Sequence, residues 1–263
     1  MPAFETTSPI DATIEVTYGH VEVHAGERTD VVVAVRPTDP ASDASVQAAE
    51  RTEVDFSGGR LLVKDARGTG LSSLFGGKGS IDVTVELPTG SRLRVKGAAD
   101  VEATGDLGET VVHSSHGDIH LERTERLDAR SSNGEIRVER IAGEAELSAT
   151  NGMITVGALE ASATVKTSTG DVTVGTARAD LTVKSAYGRL RIGEVARGTV
   201  RLETGHGKVH VGIADGTAAW LDVHTKFGAV RNSLTPSEEP GDTGESVAVH
   251  AHTKFGDIEI HRS

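Results

Sequence analysis

Residues 151–192 read NGMITVGALEASATVKTSTGDVTVGTARADLTVKSAYGRLRI, and the spacing within this stretch decides the fold. Gly152, Gly170 and Gly188 follow one another at intervals of 18 residues. Between them, apolar residues two positions apart recur every nine residues, as in Ile154/Val156, Ala163/Val165 and Val172/Val174. A spacing of two places both side chains on one face of a strand. Each interval of 18 therefore predicts two short strands, and a fixed period predicts stacked structural units.

The predicted fold is all-β: a β-solenoid, similar to a β-roll, with about 18 residues and two short strands in each coil. Equivalent strands of successive coils would pair in parallel, about 4.8 Å apart, into two ladders. The apolar pairs would fill a narrow core. A turn repeated in every coil can require a positive φ, which glycine adopts at no steric cost. We therefore interpret one glycine per coil as a structural turn: Gly117, Gly134, Gly152, Gly170, Gly188, Gly207, Gly228 and Gly256.

The first part of the chain is less regular than the rest. Residues 1–96 are predicted to form an irregular β-rich N-terminal cap, with a short helix near 44–51 and a glycine-rich loop over 66–80. Residues 97–263 are predicted to form the regular coils, and an acidic Pro/Gly loop is inserted at 234–246. A solenoid needs capped ends, so both parts are expected to belong to one continuous domain.

The end of the chain repeats a longer phrase. HTKFGAV (224–230) returns as HTKFGDI (252–258), 28 residues later. If the coils stack in the order of the sequence, this repeat predicts that the last coil of the solenoid runs from Thr253 to the C-terminus.

Composition excludes several classes of function. The 263 residues include 27 Lys and Arg against 39 Asp and Glu, giving a net charge of −12, whereas nucleic-acid binding demands a basic face. Aromatic residues make up 3%, and cysteine is absent, which excludes disulfides and thiolate metal sites. No signal sequence or apolar membrane span is visible. The expected location is the cytoplasm, without membrane insertion.

The sequence lacks complete motifs for binding metals or cofactors. Calcium-binding β-rolls need an aspartate in every half-turn. The residue after each glycine here is Asp118, Glu135, Met153, Asp171, Arg189, Lys208, Ala229 or Asp257, and a methionine and two cations break such a column. The histidine pairs in HVEVH, HGDIH and HGKVH are interpreted as exposed polar side chains rather than zinc ligands. The GGKGS loop departs from a phosphate-binding loop, since Ser72 and Gly79 stand where the motif requires glycine and Ser or Thr. We predict no catalytic residue, metal or cofactor.

Several segments carry a family resemblance. They are RPTDP (36–40), GGRLLVK (58–64), FGGKGSIDVTVELPTGS (75–91), AAWLDVHTKFGAVRNSL (218–234) and TKFGDIEIHRS (253–263). Together they resemble the bacterial adhesin-like family of β-strand repeats related to the toastrack domains, over essentially the whole chain. The resemblance implies a non-enzymatic β-solenoid and supplies no catalytic residues to transfer.

The leading hypothesis is a scaffold or protein-interaction module. An unknown protein partner would bind the outer ladders or an end coil by strand addition, with the C-terminal coil as the expected contact. Trp220, Leu74 and Phe75 are the candidate partner contacts. Trp220 is expected to face outward, either covered by the 234–246 loop or serving as a binding hot spot. Two alternatives stay open: a carbohydrate-binding or carbohydrate-active protein, and a solenoid that self-associates end to end rather than staying monomeric.

Overall fold

A computed structural model describes residues 2–65, 79–234 and 245–263. The chain divides into two compact units, Met1–Asn133 and Gly134–Ser263, called unit 1 and unit 2 below. Both units are built from parallel strands in successive coils, which confirms the predicted all-β solenoid.

Unit 1 combines coils with an irregular cap. Its described elements are β1 (Ala3–Glu5), β2 (Asp11–Gly26), β3 (Asp30–Pro37), α1 (Asp43–Arg51), β4 (Glu53–Ser57), β5 (Arg60–Lys64), β6 (Ile81–Pro88), β7 (Arg92–His116) and β8 (Ile119–Asn133). β2 pairs in parallel with β7, and β7 pairs in parallel with β8. The expected change to regular coils at 96/97 lies inside β7.

The cap covers the other edge of β2 in two halves. β5 pairs with the first half of β2 and β6 with the second, both in parallel. Beyond them the pairing becomes antiparallel, between β4 and β5, β3 and β6, and β1 and β3. The change in direction ends the coil repeat.

Helix α1 lies where the sequence predicts a short helix. The Ser42 side chain caps its N-terminus by accepting a hydrogen bond from the Ser45 N–H at 3.4 Å. Ser45 and Ala48 form its buried face. A Cβ built on Gly79 would lie 2.1 Å from the Ala44 carbonyl oxygen, so glycine permits the close approach. The rest of the predicted 66–80 loop lies mainly outside the described residues.

Unit 2 contains the regular coils. Its described strands are β9 (Ile136–Ile141), β10 (Ala145–Asn151), β11 (Ile154–Leu159), β12 (Ala163–Thr169), β13 (Val172–Ala177), β14 (Leu181–Tyr187), β15 (Leu190–Val195), β16 (Gly198–His206), β17 (Val209–Ile213), β18 (Ala218–Phe227), β19 (Val230–Asn232), β20 (Ser246–Phe255) and β21 (Ile258–Arg262). Residues one period apart pair in register, as Ile154, Val172 and Leu190 do. The predicted apolar pairs from Ile136/Val138 to Val209/Val211, and the pair Val247/Val249, are buried.

The order of the last coils differs from the prediction. β20 pairs with β16 on one side and with β18 on the other, and β21 lies in the same way between β17 and β19. The C-terminal coil (246–262) is therefore interior, and residues 218–232, called the end coil below, stand last. The two copies of HTKFG lie side by side, with Phe227 opposite Phe255.

Core composition gives the physical reason for this order. Asn232 of the end coil is in register with Ile260 of the C-terminal coil. Ile260 is fully buried, whereas Asn232 is exposed. An uncompensated amide inside the core would cost free energy, so the coil that carries it is stable only at the end. The prediction that the C-terminal coil is terminal was wrong.

Candidate functional site

The glycine column is held by close contact between coils. A Cβ built on Gly188 would lie 1.9 Å from the Gly170 carbonyl oxygen, and one on Gly228 would lie 2.0 Å from that of Gly256. The expected positive φ is found at Gly117, Gly134, Gly152, Gly170, Gly207 and Gly256. Gly188 and Gly228 have no positive φ, so there the close approach alone requires glycine.

A hydroxyl column accompanies the glycines, three positions before them. Thr204 Oγ1 donates to the Gly188 carbonyl oxygen at 3.1 Å, and Thr253 Oγ1 donates to that of Gly207 at 3.2 Å. Thr225 Oγ1 of the end coil donates to Gly256 at 2.8 Å. Sequence reasoning missed this column, although Ser or Thr recurs at the position.

Aspartates after the glycines also link coils. Asp171 accepts a hydrogen bond from the Arg189 N–H at 2.8 Å and pairs with the Arg189 guanidinium at 2.7 Å. Burial acts to raise the pKa of Asp171, but these bonds outweigh it and hold the pKa below its ordinary value. Asp171 thus binds the backbone and the side chain of the next coil.

Four rings form a ladder on the outer corner of unit 2, called the aromatic ladder below. Tyr187, His206, Phe255 and Phe227 stack in that order, with centroids 4.7, 4.7 and 4.9 Å apart and interplanar angles of 12° or less. Tyr187 and Phe227 are more than half exposed. Because the ring faces cover one another, the ladder presents mainly ring edges to solvent.

A groove of about 640 Å³ runs beside the aromatic ladder over β14, β16, β20 and β18, and is called the basic groove below. Ala186 and Gly205 are among its lining residues, and a Cβ on Gly205 would come within 2.6 Å of the Ala186 carbonyl oxygen. Its charged lining residues are Lys184, Glu203, Lys226 and Lys254. Lys184 Nζ pairs with Glu203 at 2.9 Å, so the remaining charge is positive.

Histidines surround one carboxylate next to the basic groove. Asp222 Oδ2 lies 3.2 Å from His250 Nδ1 and 3.5 Å from His252 Nε2. Hydrogen bonds from His250, and more weakly from His252, lower the pKa of Asp222 against a smaller opposing effect of burial. Within the part of the chain that the structure describes, no three His, Cys, Asp or Glu residues are placed to hold a metal ion.

Unit 1 has a smaller depression of about 300 Å³ beside Arg60, Arg92 and Arg94. Asp11 and Glu109 line it as well, and Asp11 Oδ1 lies 3.4 Å from Arg92 Nη1. Cations and carboxylates are mixed there, so this surface has less excess charge than the basic groove.

Trp220 faces outward, as predicted, and is 59% exposed. Its ring contacts that of His250, with the centroids 5.1 Å apart. The alternative in which the 234–246 loop covers it involves residues 235–244, which lie outside the described residues. Leu74 and Phe75, the other predicted contacts, also lie outside them.

The end coil leaves a strand edge and part of the core open. β18 pairs with β20 through one edge, and no described strand pairs with its other edge. Leu221 and Val223 are only half-buried, and Val230 is 43% exposed. An open edge with apolar side chains is a template for adding another strand.

Unit 1 is thus a set of parallel coils with an antiparallel cap, and unit 2 is a parallel β-solenoid with an open strand edge in its end coil. The model of the Toastrack DUF4097 family matches residues 11–262, and the chain belongs to this family. This confirms the resemblance found in the sequence. The described residues include no helix with the length and apolar character needed to span a bilayer.

The solved structures that match this chain include putative adhesins of bacteria. A putative adhesin of Bacteroides fragilis is 14% identical, with a TM-score of 0.49 over 100% of this chain and 95% of that one. One from Parabacteroides distasonis is 12% identical, with a TM-score of 0.41 over 98% and 95%. No curated protein matches this chain.

Proposed function

We propose that the chain is a non-enzymatic scaffold that binds an extended segment of a partner protein along the open edge of β18. The position of β18 carries the proposal, because it is a ten-residue strand with one edge unpaired by any described strand. Strand addition of this kind supplies affinity from main-chain hydrogen bonds. Trp220 and Phe227, both more than half exposed, flank the edge and supply apolar contacts for the added segment.

The hydrogen-bond pattern identifies the groups that would bind. The Ala218 N–H donates to the Glu245 carbonyl oxygen at 3.0 Å, toward β20. Because backbone groups alternate along a parallel strand, Ala219, Leu221 and Val223 direct their N–H groups to the open edge. An adhesin-like role, implied by the family, would use the same edge.

Ala219→Pro tests the edge directly. Proline removes one outward N–H and leaves the Ala218 bond to β20 in place. We expect partner capture from the native cell, by cross-linking to purified full chain, to fall at least about fivefold. Ala219→Val is the matched control, because it keeps the donor and suits a strand.

The outcome is decided by comparing the three proteins. Capture retained by the control and lost by the proline variant supports strand addition. Equal capture by all three, with unchanged circular dichroism, rules it out. Cell fractionation followed by immunoblotting with an antibody against the chain tests the expected cytoplasmic location.

Carbohydrate binding is the second candidate, and the exposure of Trp220 favours it. Glycoside hydrolysis ordinarily needs two carboxylates beside the substrate, and the lining of the basic groove includes one, Glu203. This alternative therefore predicts binding without hydrolysis. A glycan array that gives no signal with wild-type chain would remove it.

A further inference from the structure

Two lysines face each other at the mouth of the basic groove. Thr225 is in register with Thr253 and Phe227 with Phe255, so Lys226 of β18 is directly opposite Lys254 of β20. Both side chains are exposed. Like charges in directly opposite positions of a sheet destabilise it. The pair therefore has an electrostatic cost that a bound anion would remove.

A second pair of neighbouring cations in unit 2 is neutralised. Arg189 and Lys208 follow each other in the column after the glycines, and each lies within 4 Å of a carboxylate, Asp171 and Asp257 respectively. Among the described residues no carboxylate lies within ion-pair distance of Lys226 or Lys254. The Lys226 ammonium instead lies 5.5 Å from the centre of the Phe227 ring.

The aromatic ladder adds to the positive potential. An aromatic ring has a negative face and a positive edge. His206 and Phe255 are stacked on both faces, so their edges are the part that reaches solvent, whereas Tyr187 and Phe227 at the ends of the ladder are stacked on one face each. Positive ring edges on one side and two unneutralised lysines on the other favour carboxylates in the groove.

We infer that the basic groove selects acidic partners: the segment added to β18 carries carboxylates that bind Lys226 and Lys254. This rests on the proposed strand addition, which places outward side chains of the added strand beside His224 and Lys226. The net charge of −12 does not prevent it, since physiological salt screens charges beyond about 8 Å. The faces of His206 and Phe255 are hidden in the ladder, so they cannot stack on bases, which argues against a nucleic acid.

Three dye-labelled decapeptides test the inference, in which Val alternates with Glu, with Thr or with Lys. Each is mixed with the full-length chain in 0.15 M salt. Fluorescence anisotropy measures their dissociation constants. We expect Val-Glu to bind about tenfold more tightly than Val-Thr and Val-Lys to bind most weakly. Lys226→Glu combined with Lys254→Glu should reverse the order of Val-Glu and Val-Lys. Lys166→Glu, on β12 of the same sheet, is the matched control and should change the order little.

The possible outcomes separately test the acidic preference, the role of the two lysines and strand addition itself. Equal binding of all three peptides overturns the acidic preference and leaves strand addition standing. A preference for Val-Glu that survives the double charge reversal also overturns the role of the lysines. Binding of none of the peptides overturns both proposals. If the double Glu variant fails to fold, Lys226→Gln with Lys254→Gln replaces it, with an expected loss of the Val-Glu preference.

Discussion

At the scale of single residues, the glycine column shows how closely the coils approach each other. Gly188 lacks a positive φ, so its identity depends on the 1.9 Å between a built Cβ and the Gly170 oxygen. A methyl group there would push two coils apart.

Gly188→Ala is therefore expected to lower the free energy of unfolding by about 3 kcal/mol, as overpacking of a tight contact does. Gly26→Ala is the control, because a Cβ at Gly26 meets no atom within 4 Å. Urea unfolding followed by circular dichroism measures both. Equal stability of the two variants would show that the coils separate at little cost.

Residue-scale features were predicted unevenly. The inward pairs follow from the two-residue spacing and are buried as expected. The buried column Ile141, Leu159, Ala177, Val195 and Ile213 was missed, because these residues end their strands, beyond the inward pairs that define the period. The hydroxyl column was missed because Ser and Thr resemble exposed strand residues until a neighbouring carbonyl is placed beside them.

At the scale of elements, Asp257 holds the end coil in place. Its Oδ1 accepts a hydrogen bond from the Ala229 N–H at 2.9 Å, and its Oδ2 lies 3.4 Å from Arg231 Nη1. The Ala229 bond is the main reason that the pKa of Asp257 lies below its ordinary 3.8; burial opposes the shift, and Arg231 and Lys208 reinforce it.

Asp257→Ala is expected to lower the melting temperature of the end coil at pH 7. A carboxylate with a lowered folded pKa stabilises the fold above its unfolded pKa, near 3.9, and loses that effect as pH falls through the folded pKa. The gap between wild type and variant should therefore close on acidification below about pH 4. Trp220, the single tryptophan, lies in the end coil, so its fluorescence reports the transition.

Asp257→Asn separates charge from hydrogen bonding. It keeps an acceptor for Ala229, so its deficit at pH 7 should be smaller than that of the alanine variant. A gap between wild type and alanine that is the same at pH 7 and pH 3 would contradict the role of the ionised carboxylate.

The stacking order of the last coils could not be derived from the period. A repeat fixes the register between coils, and the two HTKFG phrases fit side by side in either order. The polar Asn232 at a core position was the available signal. The basic groove could not be predicted from the sequence either, because its lining residues are brought together by that stacking order.

At the scale of the whole molecule, net charge governs self-association. An open edge could pair with the same edge of a second chain, but each copy has a net charge of −12, so the two copies repel each other. We expect a monomer of 27.4 kDa by light scattering at 20 mM salt, independent of concentration. A mass that doubles with concentration at this salt would favour self-assembly over partner binding.

The interior place of residues 246–262 has a consequence for synthesis on the ribosome. Residues 218–232 emerge before the strands that they finally lie against, so they cannot reach their final position when they appear. At about 5–20 residues per second, the 33 residues from 213 to 246 take about 2–7 s, during which the coil at 198–213 offers its edge to any passing strand. When the C-terminal coil is made, it pairs with the coil at 198–213 on one side and with the end coil on the other. Its synthesis therefore completes both pairings at once.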